Sequence, residues 1–141
     1  MQDMKETIKT IYSCMRVLTK NNLYYGQRED YLQKHVPTIP LRVLVMLWKN
    51  EVNAITKSKI EVLIARKIIS MSFILDNNPD ILEKILPVIE CITDSEAITL
   101  LLASKNDAIF EIVYQKYCAS FEEHLDEDER LVRVQIVKEN D

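Results

Sequence analysis

One glycine in 141 residues is the first thing this sequence withholds. Glycine supplies positive φ in tight turns and lets backbone approach a phosphate closely, so a chain with Gly26 alone has no phosphate-cradling loop and little material for a turn-rich β fold. Histidine is nearly as scarce: His35 and His124 are far apart and match no metal-ligand spacing such as HxxxH. The three cysteines, Cys14, Cys91 and Cys118, are odd in number, widely spaced and without a CxxC pair. That pattern argues against a disulfide framework or a zinc site and for reduced cysteines inside helices. The Gly-x-Ser-x-Gly elbow and the HExxH helix are missing too. The acidic group Glu122, Glu123, Asp126, Asp128 and Glu129 lacks the glycine and alternating oxygen positions of a calcium loop. No apolar run approaches the roughly 20 residues of a membrane span, and no charged-then-apolar leader opens the sequence. The expectation is a cytoplasmic or nuclear protein with no catalytic residues, no cofactor and no metal.

What is present is an ordinary globular composition, 48% hydrophobic and 28% charged with a net charge of −4. A length of 141 residues predicts one domain spanning 1–141. The charge is unevenly placed. Residues 1–70 hold 12 Lys and Arg against 6 Asp and Glu, and residues 71–141 hold 6 against 16, so the two parts carry +6 and −10. Such polarity steers encounters with charged partners and favours head-to-tail association.

Hydrophobic periodicity is helical almost throughout. Met1, Met4, Ile8, Ile11, Met15 and Leu18 recur in steps of three and four, predicting a helix over about Asp3–Lys20 whose seam packs on its own domain or on a second copy. The segment from Asn21 to Pro40 reads as irregular, with a short helix over Arg28–His35 and an extended corner bracketed by Pro37 and Pro40. Within it Tyr24, Tyr25 and Tyr31 sit beside Lys20, Arg28 and Lys34, a mixture of rings and cations that suits peptide or base stacking as well as plugging a loop. A third helix is expected from Pro40 to about Thr56, with Leu41, Leu44, Val45, Trp48, Val52 and Ile55 on its apolar face. Ser58 and Glu61 then form a capping-box pattern opening a fourth helix to about Asp76. Ile60, Leu63, Ile64, Ile68, Met71 and Leu75 make one stripe of that helix, and Val62, Ala65, Ile69 and Phe73 make another, which predicts a rod sandwiched between layers.

Asn78 and Pro79 start the next helix, and Pro87 predicts a kink or a division into two short ones. Ser95 and Asp107 are read as caps of two further helices, to about Ser104 and about Leu125. The last segment alternates Val132, Val134 and Ile136 with Arg133 and Gln135 and reads as helix or strand.

The order of a long helix with Ala65 midway, an Asn77-Asn78-Pro79 corner, Ile81-Leu82-Glu83-Lys84, then Ile85-Leu86-Pro87-Val88-Ile89, resembles the junction between consecutive armadillo or HEAT-type repeats over about residues 58–92. The resemblance implies a right-handed α-solenoid-like stack of about six to eight helices, a type that offers an elongated groove to peptides and proteins. The alternative fold is a compact helical bundle.

Two kinds of protein partner fit this reading. One is a peptide or protein held by a helical-repeat adaptor, scaffold or regulator, with Arg66, Lys67 and Ser70 on the least apolar sector of the fourth helix, and Tyr24 and Tyr25, as contacts. The other is an amphipathic helix in the groove of a bundle resembling the death regulators. Self-association through Met4, Ile8, Ile11, Met15 and Leu18 is a further expectation. Nucleic-acid binding through the basic N-terminal half ranks below these.

Overall fold

A computed structural model describes residues 3–20 and 25–118, the side chains of Tyr25 and Cys118 excepted. Regular structure among the described residues is entirely helical: eight α-helices, one 3-10 turn and one π turn, with no strand. The expected all-α class is thus observed. The chain divides into two compact units, Met1–Met71 and Ser72–Asp141. The division falls at the reversal of charge, so the first unit is basic and the second acidic.

The first unit holds α1 (Met4–Thr19), α2 (Tyr25–His35), a 3-10 turn (Val36–Thr38), α3 (Leu41–Asn50) and α4 (Ala54–Ser70). Asp3 starts α1 as its N-cap, Oδ1 accepting from the Glu6 backbone N–H at 2.8 Å. The buried face of α1 is Thr7, Ile11, Cys14, Met15 and Val17, turned slightly from the expected seam. Ile11 and Met15 are buried as read, whereas Ile8 and Leu18 are half-buried and Met4 is exposed. Thr7 tolerates burial because its hydroxyl donates to the Asp3 carbonyl at 3.1 Å. Met1 lies outside the described residues.

Helix α2 begins three residues earlier than expected, and Pro37 sits inside the 3-10 turn rather than in an extended corner. Helix α3 starts after Pro40 but ends at Asn50, not near Thr56. The stop is made by side chains. Asn50 Nδ2 donates to the Met46 carbonyl at 3.0 Å, Glu51 Oε1 accepts from the Asn53 backbone N–H at 3.0 Å, and Asn53 Oδ1 accepts from the Thr56 N–H at 3.0 Å. Asn53, not Ser58, therefore caps α4, and the Ser58/Glu61 pattern lies inside that helix. The expected core positions Val52 and Ile55 are 97% and 69% exposed as a result.

Helix α4 is enclosed as its two stripes imply. It packs on α1, on α3 and on the 3-10 turn, and Ile60 through Ala65 are buried without interruption, Glu61 included. The expected rod is nevertheless shorter. It stops at Ser70, Met71 leaves helical geometry at φ −93° and ψ 2°, and the chain enters its second unit there.

The second unit contains α5 (Ser72–Asn77), α6 (Asp80–Cys91), α7 (Ser95–Leu102), α8 (Asp107–Val113) and the π turn (Tyr114–Cys118). Phe73, expected on a buried stripe, is 79% exposed because α5 starts its own register after the break. Pro87 neither divides α6 nor ends it. Both Pro87 and Glu83, whose carbonyl loses its helical donor, are exposed, so water can solvate what the proline leaves unpaired. Asp94 caps α7, and Asn106 caps α8 from a site only 2% exposed. Asn106 also donates to Asp76 Oδ1 at 2.6 Å, binding the start of α8 to α5. Leu75, Ile85, Ile89, Ile98, Leu101, Ile109, Phe110 and Val113 supply the core of this unit. The segments read as helix beyond Cys118 and as helix or strand at 130–137 lie outside the described residues.

Candidate functional site

Exposed Lys5, Lys9, Tyr12, Arg16 and Lys20 follow one another on α1 and its C-cap in steps of four, three, four and four, so they stand on one face. That face borders an open cleft of about 430 Å3 inside the first unit. One wall is α1, through Tyr12, Met15, Arg16 and Thr19; the other is the first two turns of α4, through Thr56 and Lys59. Asn53 positions the second wall. Had α4 begun at Ser58, as the capping box suggested, Thr56 would lie ahead of the helix.

The cleft combines an apolar floor with a cationic rim. Met15 is buried and the Tyr12 ring half-exposed, while Arg16 and Lys59 bring one positive charge from each wall. Beyond the cleft Lys5, Lys9 and Lys20 extend the positive strip. The acids of α1 are Glu6 and, at its cap, Asp3. Such a surface attracts anionic groups over a distance of about a Debye length, some 10 Å at 0.1 M salt. Nearby, the Lys57 ammonium stands 4.5 Å from the centre of the Trp48 ring, which joins α4 to α3. Trp48 is half-buried, between α4 and solvent.

The residues picked from the sequence fall elsewhere. Arg66 makes a two-pronged ion pair with Glu29, Nη1 to Oε2 and Nη2 to Oε1 both at 2.8 Å, and the two side chains are only 13% and 18% exposed. It ties α4 to α2. Lys67 donates to the Pro37 carbonyl at 2.7 Å, reaching the 3-10 turn, and burial lowers the pKa of its ammonium. Ser70 is exposed at the end of α4, its hydroxyl donating to the Lys67 carbonyl at 2.7 Å. Tyr24 and the side chain of Tyr25 lie outside the described residues. Tyr31 packs on His35 one turn away, ring centres 4.3 Å apart.

Arg16 and Lys59 were not singled out from the sequence. The four-residue spacing of Lys5–Lys9 and Arg16–Lys20 was a usable signal for one wall; nothing local to Lys59 foretells that it faces Arg16. Cys14 is fully buried and its thiol is pushed up to about 11 by that burial, which makes it unreactive at neutral pH. Among the described residues no group of three or more His, Cys, Asp and Glu side chains could hold a metal ion, and no helix is long and apolar enough to cross a membrane. No family model matches the chain, and neither a curated protein nor a solved structure matches it.

Proposed function

We propose that the chain is a non-enzymatic protein–protein interaction module, an adaptor, scaffold or regulatory domain, whose first unit receives an acidic amphipathic helix of a partner protein in the cleft between α1 and α4. The observation that carries the reading is the cleft itself, with the half-exposed Tyr12 ring and the edge of buried Met15 forming an apolar floor, and Arg16 and Lys59 set on opposite walls for carboxylates. Its open form suits side chains projecting from a helix. Apolar anchors supply affinity, and the charged rim supplies steering and register.

The finer fold reading that accompanies this function is an armadillo/HEAT-like layering with α4 as the inner helix. Its support is the enclosure of α4 by α1, α3 and the 3-10 turn. A compact bundle presents the same cleft, so the functional reading is independent of that choice.

The test uses a designed peptide about 20 residues long, with Leu and Phe along one face of a helix and Glu on the other. Fluorescence anisotropy should show binding at low salt that weakens about tenfold or more in the Arg16→Glu/Lys59→Glu variant, a loss expected for rim charges reversed against acids. Lys105→Glu, an exposed change in the other unit, should leave binding unaltered. Equal affinity of the double variant, or equal binding of a Gln-for-Glu peptide, would refute the assignment.

A further inference from the structure

The strongest acidic amphipathic sequence in sight belongs to this chain. Residues 121–129, Phe-Glu-Glu-His-Leu-Asp-Glu-Asp-Glu, hold six acids and no Lys or Arg, with Phe121 and Leu125 four apart. In a helical conformation those two side chains would share a face, and acids would flank it. We infer that the occupant of the α1–α4 cleft is this segment of a second copy, each copy filling the cleft of the other in a reciprocal dimer.

The inference rests on the proposed reading of the cleft and adds the identity of its partner. Three observations carry it. First, the chemistry of the two surfaces is complementary: Tyr12 and Met15 offer an apolar floor to Phe121 and Leu125, while Arg16 and Lys59 face carboxylates on both sides. Second, the segment is short enough for the strip: nine residues, were they helical, would span about 13 Å, within the about 22 Å from Lys5 to Lys20 at 1.5 Å per residue. Third, the charge of the chain is split at its unit boundary into +6 and −10. A dimer that set like unit against like unit would bring charges of one sign together. An exchange of acidic segments into basic clefts brings opposite charges together at both contacts and leaves no acceptor cleft open for further addition.

Charge swapping of the full-length chain tests the arrangement by sedimentation velocity. The wild type should sediment as two chains at about 50 mM salt and shift toward one chain at about 500 mM, where screening removes the steering term. A cleft variant, Arg16→Glu/Lys59→Glu, should be a single chain, as should a segment variant, Glu122→Lys/Glu123→Lys/Asp126→Lys. Mixed one to one, the two variants should re-form a two-chain species, because each reversed surface then finds an opposite charge. Circular dichroism and Trp48 fluorescence verify that both variants are folded.

Wild type that stays a single chain at every concentration overturns the inference, as does a dimer that survives either variant or a mixture that does not re-associate. A monomer whose affinity for the designed peptide rises in the segment variant would also overturn it, by showing that the segment covers the cleft of its own chain. Salt-sensitive capture of a single-stranded oligonucleotide by a monomeric wild type, lost in the cleft variant, would overturn it in favour of nucleic acid. The outcomes separate the two proposals: a monomer that still binds the designed peptide through Arg16 and Lys59 keeps the function and removes only the second copy.

Discussion

Replacing either partner of the Arg66–Glu29 pair should destabilise the first unit by more than an ordinary surface ion pair does. The size follows from burial and geometry. Exposed pairs contribute about 0.2–1 kcal/mol, and breaking a fully buried one costs about 3–5 kcal/mol, much of it for the charge left alone. Here two parallel hydrogen bonds of 2.8 Å join side chains 13% and 18% exposed, a case between those limits. Glu29→Gln and Arg66→Gln should each cost about 2 kcal/mol, and the double variant only about 2.5 kcal/mol, leaving a coupling of about 1.5 kcal/mol. Trp48, the sole tryptophan, lies in the same unit, so its fluorescence during urea unfolding reports the relevant transition. The coupling should persist in high salt, because protein rather than solvent surrounds most of the pair. A coupling below about 0.5 kcal/mol would refute the reasoning and class the pair with exposed ones. The experiment also bears on site assignment, since a charge reversal at Arg66 would perturb α2 and α4 before it could report on any partner.

Three other substitutions probe the remaining structure. Asn106→Ala should cost the second unit about 2–3 kcal/mol in chemical denaturation, because it removes a buried cap and leaves the Ile109 N–H unpaired. Pro87→Ala should raise the midpoint of that unit, with a gain of about 1 kcal/mol or more, since it restores a donor inside α6. Cys14 gives a pH effect whose sign is fixed. Its folded value, about 11, lies above the unfolded 9.0, so the contribution is complete below pH 9 and is lost as pH rises toward 11. At about 1.4 kcal/mol per unit this amounts to about 2–3 kcal/mol, absent from the Cys14→Ala profile. Mass spectrometry after thiol labelling at pH 8 should find exposed Cys91 modified long before Cys14.

Helix content was legible because the apolar period of 3.6 runs through nearly every segment, and α1, α6 and the enclosure of α4 follow from it. Boundaries set by competing side-chain bonds were harder to read. Asn53 and Ser58 both have cap chemistry, and the choice between them is made by Asn50 and Glu51, which close α3 early enough for Asn53 to open α4. The apolar stripe through Met71 and Leu75 carries no sign of the break, because the sequence Ser70–Met71–Ser72 contains neither glycine nor proline. Arg66 illustrates a different limit. A cation on the polar sector of a helix looks available in sequence, and only the long-range approach of Glu29 on α2 shows that it is engaged. The cleft was half legible, since one wall is a helical spacing and the other depends on how α1 meets α4.

Site-specific photo-crosslinking bears most directly on the central claim. With Tyr12 replaced by a photoreactive phenylalanine derivative, irradiation beside the acidic designed peptide should give a covalent product joined at that position, and the yield should fall with Arg16→Glu/Lys59→Glu or with added salt. The same group placed at exposed Phe73 should give none. A product from Phe73 but not from Tyr12, or one from Tyr12 indifferent to both the charge reversal and the salt, would contradict a binding surface between α1 and α4.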